Sequence, residues 1–143
     1  MTILTPYIIA IIAAWLIAQG VKYLIVAAKN RSFDHIRQLY LSGNMPSAHS
    51  ATVAALVVVI GLRDGLDSSI FSLAALFAGI VMYDAMMVRR SSGEQGIAIQ
   101  QMIKQQKFKI KIPRAAKGHS PLEVLGGAIL GGCIGLVVFL ATK

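Results

Sequence analysis

The chain of 143 residues is the size of one domain, and only 14% of its residues are charged, against about 25% in soluble globular domains. Hydrophobic residues make up 56% and fall in long runs, which excludes an ordinary soluble domain and predicts an all-α integral membrane bundle of about four transmembrane helices. A formal charge of +8 would suggest nucleic acid in a soluble chain. Here the basic residues stand between apolar runs, so the positive-inside rule accounts for them and no nucleic-acid partner is expected.

Residues 3–28 form the first predicted span, rich in Ile, Ala and Leu. No basic n-region precedes it, so it reads as an anchor rather than a signal peptide. Trp15 lies mid-span, with Tyr7 and Tyr23 nearer the ends, where belt aromatics belong. Lys22 is the anomaly: either it snorkels to the nearby interface or it aims a cation into a site. Residues 29–45 are polar and basic, with room for a short interfacial helix between Phe33 and Leu41. Residues 46–62 make a second, short span, and the link that follows contains Arg63, Asp64 and Asp67.

The third span covers residues 69–88, with Asp84 in its last turn. Residues 89–118 are the longest polar stretch, a basic loop holding Arg89, Arg90, Lys104, Lys107, Lys109, Lys111, Arg114 and Lys117 against one acid, Glu94. Its first half is a candidate amphipathic helix, and KFKIKI at 107–112 alternates like a short strand. Anchoring to anionic membrane lipid is one expected role for its lysines. The fourth span covers residues 121–141. Cys133 lies within it, with no second cysteine to pair with, and reads as a small packing residue. The basic links after spans one and three belong in the cytoplasm and both termini outside, in a bacterial-type plasma membrane or an organelle membrane.

This topology brings unusual residues to one membrane depth. Lys22, His49, Asp84, Arg89, Arg90, His119 and Glu123 all fall at the cytoplasmic ends of their spans. Ionisable groups inside a bundle are expensive, and a ring of them points to a site. The stretch NMPSAHS at 44–50 has Pro46 suited to a first helical turn and Asn44 or Ser47 as caps. It is either a plainly capped helix start or an anion site, where free amides and the helix dipole favour a phosphate.

His119-Ser120-Pro121-Leu122-Glu123 carries a similar ambiguity. Ser120, Pro121 and Glu123 form a capping box. Alternatively, a helix that starts at His119 puts His119 and Glu123 one turn apart, where the carboxylate orients the imidazole. Gly127, Gly131 and Gly135 recur every four residues and let another helix approach closely, within the chain or between subunits of a homodimer.

MPSAHSA at 45–51, YDAMMVRRSSGEQ at 83–95 and GHSPLEVLGGAILG at 118–131 together resemble the type-2 phosphatidic acid phosphatase superfamily, which includes the vanadium haloperoxidases. In order and spacing they are most similar to its small divergent branch. The resemblance implies that His119 is a nucleophile that becomes a phosphohistidine, with Glu123 as its orienter and His49 as general acid. It implies that Ser47 and Ala48, in the position of the superfamily's Pro-Ser-Gly-His element, hold phosphate together with Lys22, and it requires no metal or cofactor. Ala48 replaces glycine and Glu123 replaces aspartate. The arginine expected six residues before the nucleophile is Pro113, with Arg114 one place off, and Lys22 is followed by Lys29 with no proline after it. Arg89 and Arg90 are the candidates to supply the missing clamp.

The function expected is therefore a membrane phosphatase acting on a phospholipid or isoprenoid phosphate at the cytoplasmic face. The alternatives are a non-catalytic binder of anionic lipid or phosphate and, less favoured, a transporter subunit built on a Lys22–Asp84 pair.

Overall fold

The computed structural model describes residues 4–30, 45–106, 110–113, 115 and 118–143. The expected interfacial helix between Phe33 and Leu41 and the positions of Arg37, Lys107, Lys109, Arg114 and Lys117 lie outside the described residues. Among the described residues five α-helices follow in chain order: α1 (Pro6–Asn30), α2 (Ala48–Arg63), α3 (Ser69–Tyr83), α4 (Arg89–Gln105) and α5 (Pro121–Ala141). A π-helical segment, Asp84–Val88, joins α3 to α4 without a break. Among the described residues there is no strand, and Ile110, Lys111 and Ile112 are irregular and exposed rather than a ribbon.

Among the described residues three helical stretches are long and apolar enough to cross a membrane, Pro6–Lys29, Ser69–Gln105 and Pro121–Ala141, and α2 is a shorter apolar helix. The expected third span ends at residue 88, but the helix continues to Gln105. Its 37 residues extend about 56 Å, well beyond a hydrocarbon core of about 30 Å. Its second half, α4, is polar and carries Arg89, Arg90, Glu94 and Lys104. Membrane crossing therefore belongs to α3 together with the π segment, about 30 Å of helix, and α4 projects from them.

α2 is the centre of the bundle, packed on α1, α3 and α5. Its sequence suits that place, because Ala51 and Ala55 are fully buried small residues that let neighbouring backbones approach. Gly127, Gly131 and Gly135 of α5 meet the carbonyl oxygens of Ser47, Ala51 and Ala55 in turn. The two helices thus run parallel and in step. The glycine face is used within the chain, against α2.

α1 contributes an interior stripe of the same kind, with Ala10, Ala14 and Ala18 all at 0% exposure. Its start meets the end of α2, where the Tyr7 hydroxyl donates to Asp64 Oδ2 at 2.8 Å. At this same end the Arg63 guanidinium donates to the Thr142 carbonyl oxygen just beyond α5. α1 and α3 therefore run opposite to α2 and α5, and both N-termini of the parallel pair lie at the other end. That is the end where the sequence concentrates its chemistry.

Candidate functional site

Ser47 caps α2, its hydroxyl accepting from the Ser50 amide at 3.4 Å and from the Ser50 hydroxyl at 2.9 Å. Both serines are fully buried. The Ser47 amide donates to the Glu123 carbonyl at 3.1 Å, which ties the head of α2 to the first turn of α5. Ser47 thus holds the two helix heads together, and its hydroxyl is engaged inside the protein. Ala48, in the first turn of α2, is also buried, whereas the next residue, His49, is exposed.

At the head of α5 the helix starts at Pro121 and not at His119, which corrects the second reading, yet Glu123 still reaches the imidazole. Ser120 caps the helix in a complete capping box, accepting from the Glu123 amide at 3.3 Å. Glu123 Oε2 accepts from the Ser120 amide at 3.0 Å and lies 3.1 Å from His119 Nδ1. One carboxylate oxygen both closes the helix and orients the imidazole. This is possible because His119 precedes the cap, so its side chain folds back over the first turn.

His119 is buried at 6% exposure. Its amide donates to the Ala85 carbonyl in the π segment at 3.0 Å. The wide π turn shifts the local hydrogen-bond pattern, a feature often found at functional sites. Gly118 lies hard against the backbone of Arg90, where a β-carbon would collide with the Arg90 amide. The chain approaching His119 runs back along α4: the Gln100 side chain donates to the Pro113 carbonyl at 2.7 Å, and Ala115 sits against Gly96. These contacts set the nucleophile candidate between α4 and α5.

The result is an open cleft of about 330 Å³ lined by Arg90, Gly93, Glu94, Ile97, Gly118, His119, Ser120 and Glu123. With Nδ1 committed to Glu123, Nε2 is the imidazole nitrogen left for chemistry. Arg90 pairs with Glu94 at 3.2 Å on the cleft wall. Arg89 pairs with Asp84. His49 does not line the cleft but lies within electrostatic reach of Arg89, His119, Lys22 and Asp84. Lys22 is buried at 6% exposure on the interior face of α1, which decides against snorkelling into the interface. Glu123 is within its electrostatic reach.

The fold therefore brings Lys22, Ser47, Ala48, His49, Arg89, Arg90, His119 and Glu123 to one end of the bundle. Sequence reasoning missed Gly118, whose lack of a side chain allows the close pass over Arg90. It also missed Glu94 as part of the cleft wall, although its spacing from Arg90 is that of a helical ion pair. Among the described residues no group of histidine, cysteine, aspartate and glutamate is arranged to hold a metal ion.

A family model described as the divergent PAP2 family matches residues 4–134. The chain belongs to the divergent PAP2 family. It is 35% identical over 154 aligned positions to a Bacillus subtilis (strain 168) protein named "Uncharacterized membrane protein YuiD", covering 96% of this chain and 97% of the relative. No solved structure matches. The matched residues include the stretches at 45–51, 83–95 and 118–131. A membrane location agrees with the apolar helices and with the relative's description.

Proposed function

We propose that this divergent PAP2 protein is a phosphatase that removes the terminal phosphate of a membrane lipid through a phosphohistidine. The observation that carries this reading is His119, held at Nδ1 by Glu123 and lining an open cleft beside Arg90. A carboxylate in contact with one ring nitrogen raises the nucleophilicity of the other and fixes its lone pair toward the reacting atom. Nε2 attacks phosphorus in line, forming the P–N bond as the P–O bond to the lipid alcohol breaks. His49, as general acid, gives its proton to that leaving oxygen. A water then attacks phosphorus, the P–N bond breaks, inorganic phosphate leaves, and His49 takes up the proton of the water.

Charge develops on the phosphoryl oxygens during both steps. Arg89 and Arg90 are the cations placed to meet it, with the first-turn amide of Ala48 as a further donor. Both arginines are paired with carboxylates in the free protein, so binding exchanges Asp84 and Glu94 for substrate oxygens. The positive-inside distribution supports a site on the cytoplasmic face. A lipid made on that leaflet, such as phosphatidylglycerol phosphate or phosphatidic acid, is the natural substrate class.

The same paired arginines favour a second reading, a non-catalytic binder of anionic lipid or phosphate. One experiment separates the two: phosphate release by purified protein from a panel of phospholipid and isoprenoid phosphates, comparing wild type with His119→Ala and His49→Ala. Release lost in both variants supports the phosphatase. Release unchanged in His119→Ala sinks the mechanism, and thermal stabilisation by vanadate without turnover of any substrate establishes the binder.

A further inference from the structure

The junction between α3 and α4 serves both walls of the cleft. In an α-helix the Arg89 amide would donate four residues back, to the Ala85 carbonyl. It donates five residues back instead, to the Asp84 carbonyl. The Ala85 carbonyl thereby loses its α-helical donor, and the amide of His119 donates to it at 3.0 Å. One extra residue in the helix thus opens a backbone acceptor that a regular helix would fill from within.

The same turn places the cations. Five residues apart in a regular helix, Asp84 and Arg89 would point about 140° away from each other. Across the π turn they meet as an ion pair. One residue on, the backbone of Arg90 meets Gly118 so closely that no β-carbon fits between them, and Arg90 lines the cleft together with His119. α5 itself packs on the π segment. Nucleophile candidate and arginines are therefore referred to one stretch of backbone.

We propose that the π turn is a positioning device for His119, built on the carbonyl of Ala85. It fixes the backbone of His119 against the helix that carries Arg89 and Arg90, so that imidazole and cations keep one relative placement. The number of residues between Asp84 and Arg89 matters here, and the side chain of Met87 does not. With one residue fewer the helix becomes regular. Asp84 and Arg89 are then four apart and still on one face, so their ion pair survives. The Arg90 amide then donates four residues back to Ala85, and the acceptor for His119 is gone. Only the kinetic consequence rests on the proposed phosphatase; the backbone anchor belongs to the resting protein.

The test deletes Met87, an exposed side chain, from the full-length protein in detergent micelles labelled with ¹⁵N-histidine. The chain has three histidines, and the His119 amide signal is assigned by its loss in His119→Gln. In wild type this amide is expected to exchange slowly with solvent. The deletion is expected to melt close to wild type, to speed that exchange on the order of 10-fold or more, and to lower kcat on the order of 100-fold. Met87→Ala, which keeps the residue count, is expected to match wild type in all three readings. If the Met87 deletion does not fold, deletion of Val88 takes its place; two deletions that both unfold overturn the proposal, because the turn then serves the fold and not the site. It is also overturned by an unprotected His119 amide in wild type, by unchanged exchange in the deletion, or by an unchanged kcat there. A protein that hydrolyses no substrate rejects the phosphatase, and the amide exchange still decides the anchor.

Discussion

Gly131 of α5 lies directly on the backbone carbonyl of Ala51 in α2, with no room between them for a β-carbon. This contact is the middle rung of the three that keep α2 and α5 parallel and in step. It fixes the relative height of His49 and His119, which stand at the heads of those two helices.

Replacing Gly131 by alanine is expected to force the helices apart and to destabilise the protein by about 1–3 kcal/mol. Gly132, one residue on, has only the Val58 side chain at 4.0 Å from the position of a β-carbon. Gly132→Ala is expected to change stability by no more than about 0.5 kcal/mol. Thermal unfolding of both variants in detergent checks the pair, and equal losses would remove the glycine ladder as the reason for the register.

Glu123 has two tasks that one substitution separates. A glutamine at the third position still completes a capping box, so Glu123→Gln is expected to melt close to wild type. It lacks the charge that orients His119, and phosphate release is expected to fall on the order of 10²- to 10⁴-fold. A variant that melts early and loses activity in proportion would show that only the cap matters.

Gly118→Ala puts a methyl group into the backbone of Arg90. The expected result is displacement of His119 from the cleft and a loss of turnover on the order of 100-fold, while α5, whose cap lies beyond the substitution, stays folded. Circular dichroism together with phosphate release reads both halves of this expectation.

At the far end, Tyr7→Phe removes the hydroxyl that donates to Asp64. The expected cost is about 0.5–1.5 kcal/mol of stability, with no change in turnover, because the contact lies at the end of the bundle away from His119. A melting curve beside an activity assay checks it.

Orientation is tested by labelling intact cells with a membrane-impermeant maleimide in a Cys133→Ala background. Asp67→Cys, in the link between α2 and α3, is expected to react from outside. Lys111→Cys, in the basic segment, is expected to react only after lysis. The reverse pattern would place the candidate site on the outer face.

Much of this protein follows from local sequence, because its signals are short-range. Apolar runs set the helices, serine caps set the heads of α2, α3 and α5, and the four-residue spacing of glycine marks a face for close approach. Pro46 lies before the Ser47 cap and not in the first turn of α2, where its sequence suited it. The spacing of His119 and Glu123 fits either a carboxylate that caps the helix or, if the helix starts at His119, one that holds the imidazole. The structure answers that one oxygen does both, because Glu123 Oε2 lies between His119 Nδ1 and the Ser120 amide.

Three further matters belonged to the tertiary structure. The glycine face has α2 as its partner, since small residues make close approach possible but do not say with which helix. Lys22 faces inward because Ala10, Ala14 and Ala18 below it do; the anomaly in the sequence became intelligible once its helix had neighbours. Arg89 and Arg90 were nameable from the motif, but their pairing with Asp84 and Glu94 depends on a helix that runs unbroken through a π turn. Sequence determined which residues stand at the membrane end of each helix, because hydropathy and capping act within a few residues. Which of these residues touch was decided by packing, which joins positions far apart in the chain.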